Sequence, residues 1–106
     1  MPKYLLTANY SETGMRGLVK EGGSKRREAA AKAIEGLGGK MEAFYYGFGD
    51  HDAYVILDAP DNVTTTAACL AIGATGAVTT STTVLLTPEE VDEAVKKSVD
   101  YRPPGG

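Results

Sequence analysis

The sequence predicts an α+β domain of split βαββαβ type, with a four-stranded antiparallel sheet, helices on one face and an additional helix at the C-terminus. Three observations predict it. Short stretches that alternate apolar and polar residues take turns with stretches whose apolar residues recur at helical spacing. Glycine pairs and Pro-Asp or Thr-Pro steps separate them. Two of the extended stretches sit close enough together to make a hairpin, whereas the others are joined through helices.

Taken in order, Lys3 to Tyr10 reads as a strand, with Tyr4, Leu6, Ala8 and Tyr10 alternating with Leu5, Thr7 and Asn9. Ser11 supplies an N-cap oxygen for a short helical turn carrying Met15, Leu18 and Val19, ended by Gly22-Gly23. Ser24 caps a second helix through Leu37, in which Ala30, Ala33, Ile34 and Leu37 fall at i, i+3, i+4 and i+7, with Gly38-Gly39 as the left-handed stop. Lys40 to Phe48 is the second strand, marked by Phe44, Tyr45, Tyr46 and Phe48. Gly49-Asp50-His51-Asp52 forms a tight turn into a third strand, Ala53 to Asp58. Pro60-Asp61-Asn62 opens a helix with Val63, Ala67, Leu70, Ala71 and Ala74 along one face, closed by Gly76. Ala77 to Leu86, rich in Val and Thr, is the fourth strand. Thr87-Pro88-Glu89-Glu90 combines a capping hydroxyl, proline at the first helical position and a capping-box glutamate, and Val91, Val95 and Val99 line one face of the helix it starts. Residues 1–100 therefore form one domain, and 101–106, Tyr-Arg-Pro-Pro-Gly-Gly, a flexible tail. Right-handed crossovers turn this order into a ferredoxin-like sheet with its helices on one face.

The same pattern predicts a homo-oligomer, a dimer or trimer. On the third strand both the Val55/Leu57 and the Tyr54/Ile56 sets are apolar. On the second, Phe44, Tyr46 and Phe48 share one face while Met41 and Tyr45 share the other. A sheet apolar on both sides needs a second cover. Another subunit provides one; the C-terminal helix folded across the open face is the alternative.

Bulk composition narrows the function classes. A formal charge of -3 is wrong for a nucleic-acid partner, which demands a basic face. No apolar run approaches the roughly 20 residues of a membrane span. The single cysteine, Cys69, rules out an internal disulfide and a thiolate metal cage, and makes a cytoplasmic setting the expectation. No cofactor and no metal are expected. Cys69, beside an apolar helix stripe, reads as a buried structural thiol.

Chemistry has few places to reside. His51 is the only histidine, hence the only side chain of a type that ordinarily titrates near neutrality. A neighbouring carboxylate such as Asp52 is what a general base needs to fix its tautomer, so His51 and Asp52 form the candidate catalytic pair, against the plain reading of good turn composition. One imidazole and two carboxylates make a weak metal set, completed only by a second subunit. Lys25, Arg26 and Arg27 stand in the first turn of a helix, where each cation costs roughly 0.3–1 kcal/mol against the dipole. Either Glu12 or Glu28 compensates, or Arg26 and Arg27 hold a small anion. Tyr10, Tyr45, Tyr46 and Tyr54, with Asn9, Thr80 and Thr82, are candidates to line a pocket for a small anionic or aromatic ligand on the open sheet face. Gly36-Leu37-Gly38-Gly39 and Gly47-Phe48-Gly49 do not follow a strand and open a helix, as a phosphate loop must.

Several pieces in this order resemble the GYD-domain family: Tyr10-Ser11-Glu12-Thr13-Gly14, the Arg26-Arg27 pair, Leu37-Gly38-Gly39-Lys40, Tyr46-Gly47-Phe48-Gly49-Asp50-His51-Asp52 and the Ala59-Pro60-Asp61 helix start. The resemblance spans residues 3–91. The family is named for a Gly-Tyr-Asp hairpin, from which Gly49 to Asp52 departs, with His51 where the tyrosine is expected. It implies a ferredoxin-like subunit related to the dimeric α/β-barrel proteins, among which are cofactor-free monooxygenases, haem-degrading enzymes and isomerases. It implies no particular activity. The expectation is a small-molecule site on the open face near His51, catalytic or only binding. Set against it are a purely structural or regulatory oligomer and, third, a metal-binding one.

Overall fold

The computed structural model describes residues 1–106. The order of elements is β1 (Lys3–Tyr10), α1 (Glu12–Glu21), α2 (Gly23–Gly36), β2 (Lys40–Tyr46), β3 (Ala53–Asp58), α3 (Asn62–Ala74), β4 (Val78–Leu85) and α4 (Pro88–Val95). The strands form one antiparallel sheet in the order β2-β3-β1-β4, which is the ferredoxin-like arrangement the sequence predicts.

Side chains alternate across the sheet, so register decides which residues meet the helices. Tyr4 lies opposite Leu57, and Leu6 opposite Val55. Tyr4, Val55 and Leu57, with Ala59, make the core, and Leu6, Ile34, Met41 and Phe44 pack against it. Burying Val55 or Leu57 is worth about 1.5–3 kcal/mol each. The Tyr4 hydroxyl, carried inward on a fully covered ring, donates to Asn62 Oδ1 at 2.5 Å, so no polar atom is stranded there. Only 8 of the 106 residues are buried, a thin core even for a chain of this size.

Several elements depart from the sequence expectation. The turn after Ser11 is a helix of 10 residues, α1, whose N-terminus Ser11 does cap by accepting from Gly14 N. Ser24 does not cap α2: the helix starts at Gly23, and its N-cap, Gly22, contributes no side-chain bond. The second strand ends at Tyr46 rather than Phe48. Phe48 instead takes a positive φ of 57°, which bends the chain into the loop. A register shift between Met41 and Ala43 puts Met41 on the core side with Phe44, not with Tyr45. On α3, Val63 and Leu70 are 79% and 69% exposed, while the inward side holds Thr65, Ala68, Cys69 and Ile72. The helix has no charged residue to mark its wet side, so periodicity alone selected the wrong face. Finally, α4 stops at Val95, short of Val99, and does not fold across the sheet. Its capping box is present, yet every residue from Leu86 to Gly106 is exposed.

The start of α1 is pressed against the start of β4. Ser11 donates to the Ala77 carbonyl from both its backbone N–H (2.9 Å) and its hydroxyl (3.2 Å). A Cβ on Gly14 would stand 2.0 Å from that same oxygen, whereas one on Gly17 would meet nothing. Gly14→Ala is therefore expected to lower the thermal midpoint. Gly17→Ala, three residues on in the same helix, is expected to raise stability by about 0.5–1 kcal/mol. Parallel melts of the two variants check both signs.

Candidate functional site

The open face of the sheet carries Leu5, Thr7 and Asn9 from β1, Tyr54 and Ile56 from β3, Ala43 and Tyr45 from β2, and Thr79, Ser81, Thr83 and Leu85 from β4, as the register requires. Leu5, Tyr54, Ile56 and Leu85 are half-buried, and Tyr45 is 71% exposed. At one end of this face the half-buried His51 ring stands edge-on to Tyr54, centroids 5.8 Å apart and planes at 81°.

The loop that presents His51 is fastened by Asp52 and Asn9. The Asp52 N–H donates to the Ala8 carbonyl at 2.9 Å and to Asn9 Oδ1 at 3.1 Å. Its carbonyl accepts from Gly47 N at 3.0 Å, and its Oδ2 accepts from Tyr10 N at 2.9 Å. Asp52 is thus committed to backbone groups at the end of β1 and tethers the hairpin. Its side chain turns toward Tyr10 N while the imidazole of its neighbour stands against Tyr54, and no hydrogen bond joins the two side chains.

The tyrosines proposed as a single wall are divided between the two sides. Tyr45, Tyr54 and Asn9 lie on the open face. Tyr10, Tyr46, Thr80 and Thr82 lie on the helix side, because Tyr10 pairs with Val78 and Tyr46 with Ala53 on the register that also buries Ala8 and Val55. The Tyr46 hydroxyl donates to the Gly23 carbonyl at 3.1 Å, and its ring meets Phe44 edge-on and stacks on Phe48.

Arg26 sits on the helix side too, at the junction of α1 and α2. Its guanidinium lies 3.5 Å from Glu21, the last residue of α1. Neither expected partner serves it, since Glu12 pairs with Arg16. The missed signal was spacing: Glu21 is five residues back, across a Gly22-Gly23 break that folds two helix ends together. With a carboxylate already beside Arg26, an incoming anion would meet like charge there. Arg27 is exposed. A hollow of about 300 Å³ opens at this junction, lined among others by Tyr10, Leu18, Glu21, Arg26 and Val78. A second hollow, of about 80 Å³, lies under α2 and α3 among Leu6, Ile34, Leu57, Ala68, Cys69 and Ile72. It is wholly apolar and far below the roughly 300–1,000 Å³ of a ligand pocket. His51 and Asn9 line neither hollow. No three of the His, Cys, Asp and Glu side chains converge on a common point within one chain. Cys69 is half-buried, its Sγ 3.2 Å from Thr82 Oγ1.

Burial under the helices, with the Tyr10 phenol beside it, pushes the Tyr46 phenol up to about 12, against a smaller opposing pull from Arg26 and Arg27. Below pH 10 Tyr46 is neutral whether the chain is folded or unfolded. Between about 10 and 12 the unfolded chain releases this proton while the folded chain keeps it, so stability falls across that window. In an alkaline absorbance titration of tyrosinate, Tyr46→Phe is expected to delete the last step and to flatten this part of the stability profile.

A family model described as the GYD domain matches residues 4–95. No curated protein and no solved structure matches the chain. No helix is long and apolar enough to cross a membrane. With the model covering nearly the whole length, from the first residues of β1 to the last residue of α4, the chain belongs to the GYD-domain family.

Proposed function

We propose that this protein is a cytoplasmic homo-oligomer that holds a small, flat aromatic molecule between subunits, at the open sheet face beside His51. The observation that carries this reading is the face itself: Leu5, Ile56, Tyr54 and Tyr45 lie together with no helix over them, and the one imidazole of the chain stands at their edge. Apolar walls with a single convergent polar ring are the ordinary make-up of a small-molecule site. A second subunit laid face to face, as in the dimeric α/β-barrel proteins, would cover these side chains and close the site. The free thiol of Cys69 fits a reducing compartment.

Binding fits better than catalysis. Asp52 is engaged by Tyr10 N, and neither it nor Asp50 forms an ion pair with His51, so the loop supplies no carboxylate orienter. His51 then serves as a hydrogen-bonding group for the bound molecule, and Tyr54 and Tyr45 as stacking surfaces. An aromatic ligand is favoured over a purely anionic one, because Arg26 and Arg27 belong to α2, on the far side of the sheet. The second reading is an oligomer whose sheet face is only an interface, without bound ligand. It is favoured by the fact that neither described hollow reaches His51.

Sedimentation velocity combined with titration of 8-anilinonaphthalene-1-sulfonate separates the readings. The expected result is a particle heavier than one chain whose probe affinity falls about tenfold, some 1.4 kcal/mol, in both His51→Ala and Tyr54→Ala while the mass stays constant. A stable single chain would end the proposal. An assembly whose probe binding ignores both substitutions would leave only the interface reading.

A further inference from the structure

The two edges of the sheet are built differently. At the β2 edge, Lys40 and Glu42 place charge on the strand, the register shift between Met41 and Ala43 bends it, and Glu42 is tied to Lys3. These are the usual devices that keep a sheet edge from pairing with another chain. The β4 edge has none of them. Its eight residues, Val-Thr-Thr-Ser-Thr-Thr-Val-Leu, include no charge and no proline, and they pair with β1 without a break in register. The uncharged character extends well beyond the strand: residues 62–88, which include all of α3, carry no charged side chain in a chain whose net charge is -3.

Which β4 groups face outward follows from the register. Ser11 N donates to the Ala77 carbonyl, so the residues of β4 that exchange bonds with β1 are those an even step from Ala77: Thr79, Ser81, Thr83 and Leu85. The Thr7 hydroxyl, donating to the Ser81 carbonyl at 3.4 Å, fits the same set. The N–H and C=O groups of Val78, Thr80, Thr82 and Val84 therefore point away from the sheet and have no strand to meet.

We propose that a second copy of this chain occupies the β4 edge, pairing β4 with β4 antiparallel across a two-fold axis to make a continuous eight-stranded sheet. An antiparallel edge is its own complement: outward groups of one copy meet outward groups of the other, and two uncharged strands bring no like charges together. Parity restricts the register, because outward residues must meet outward residues. The axis passes through Ser81 or Thr82, the two central positions of the strand, and never between them. A second observation supports a second copy as the occupant. From the end of β4 the chain runs through the exposed Leu86 into α4, whose Val91 and Val95 are 45% and 76% exposed. An isolated helix of eight residues does not hold in water on its own capping. Pairing at β4 brings a neighbour to the place where this helix emerges. The edge contact is separate from any contact through the open sheet face, since it uses backbone groups in the plane of the sheet.

The test uses the full chain, and its two disrupting substitutions lie on the helix side of β4, which leaves the open face untouched. Thr82→Pro deletes an outward donor without touching the β1 ladder, and Val84→Lys puts a charge on the edge. Both are expected to halve the particle mass in sedimentation velocity with an unchanged circular dichroism spectrum. In parallel, Ser81→Cys and Thr82→Cys are made in a Cys69→Ala background and oxidised mildly; one of the two is expected to give a disulfide-linked pair of chains. Folded Thr82→Pro and Val84→Lys proteins with the wild-type mass would overturn the proposal. Should both variants misfold, the absence of a cross-link at either cysteine would overturn it instead.

Discussion

Alternation of side chains across the strands is the constraint on which the rest of this molecule depends. Once β1 places Tyr4, Leu6 and Ala8 toward the helices, every other residue of the sheet is assigned to a side by register alone. Tyr46 and Tyr10 go inward, where burial raises the Tyr46 phenol and the Gly23 carbonyl accepts its hydrogen bond. Tyr45 and Tyr54 go outward, and His51 with them. The same parity decides which backbone groups of β4 face β1 and which face away. One geometric rule thus sets the core, the open face and the bare edge together.

The energetic consequence is that this domain is underburied as a lone chain. Helices shelter one side of the sheet, and even there α3 turns Val63 and Leu70 outward. Of the eight buried residues only Tyr4, Val55 and Leu57 carry large apolar side chains; the rest are alanines and threonines. Burial of the Leu5, Ile56 and Tyr54 surface, or of the α4 valines, would add to the favourable side without ordering any further part of the sheet.

The fold was legible in the sequence because its signals were redundant. The hairpin between β2 and β3, the glycines after α2 and the capping box of α4 each restate a boundary that hydrophobic periodicity also marks. The structure departs from the sequence expectation where only one signal is present. A helix with no charges, α3, offers periodicity no polar side by which to orient it. The register shift near Met41 is invisible to a count of alternation, and it exchanges inside for outside at that one residue. The site was less legible than the fold for the same reason. Arg26 meets Glu21 only because α1 and α2 meet at Gly22-Gly23, and no local pattern encodes that meeting.

Asp52 illustrates why adjacency in sequence is a poor guide to chemistry on a hairpin. A carboxylate beside an imidazole has the composition of a catalytic pair, yet neighbouring residues in extended chain diverge. The strand that follows needs Ala53 buried beside Ala8. That demand holds the Asp52 backbone against Ala8 and Gly47 and aims its side chain at Tyr10 N. The hairpin gains an anchor and His51 loses a partner, both from one register. Any base chemistry at His51 would therefore need an orienting group from outside its own loop, because the register that anchors the hairpin has already taken the neighbouring carboxylate.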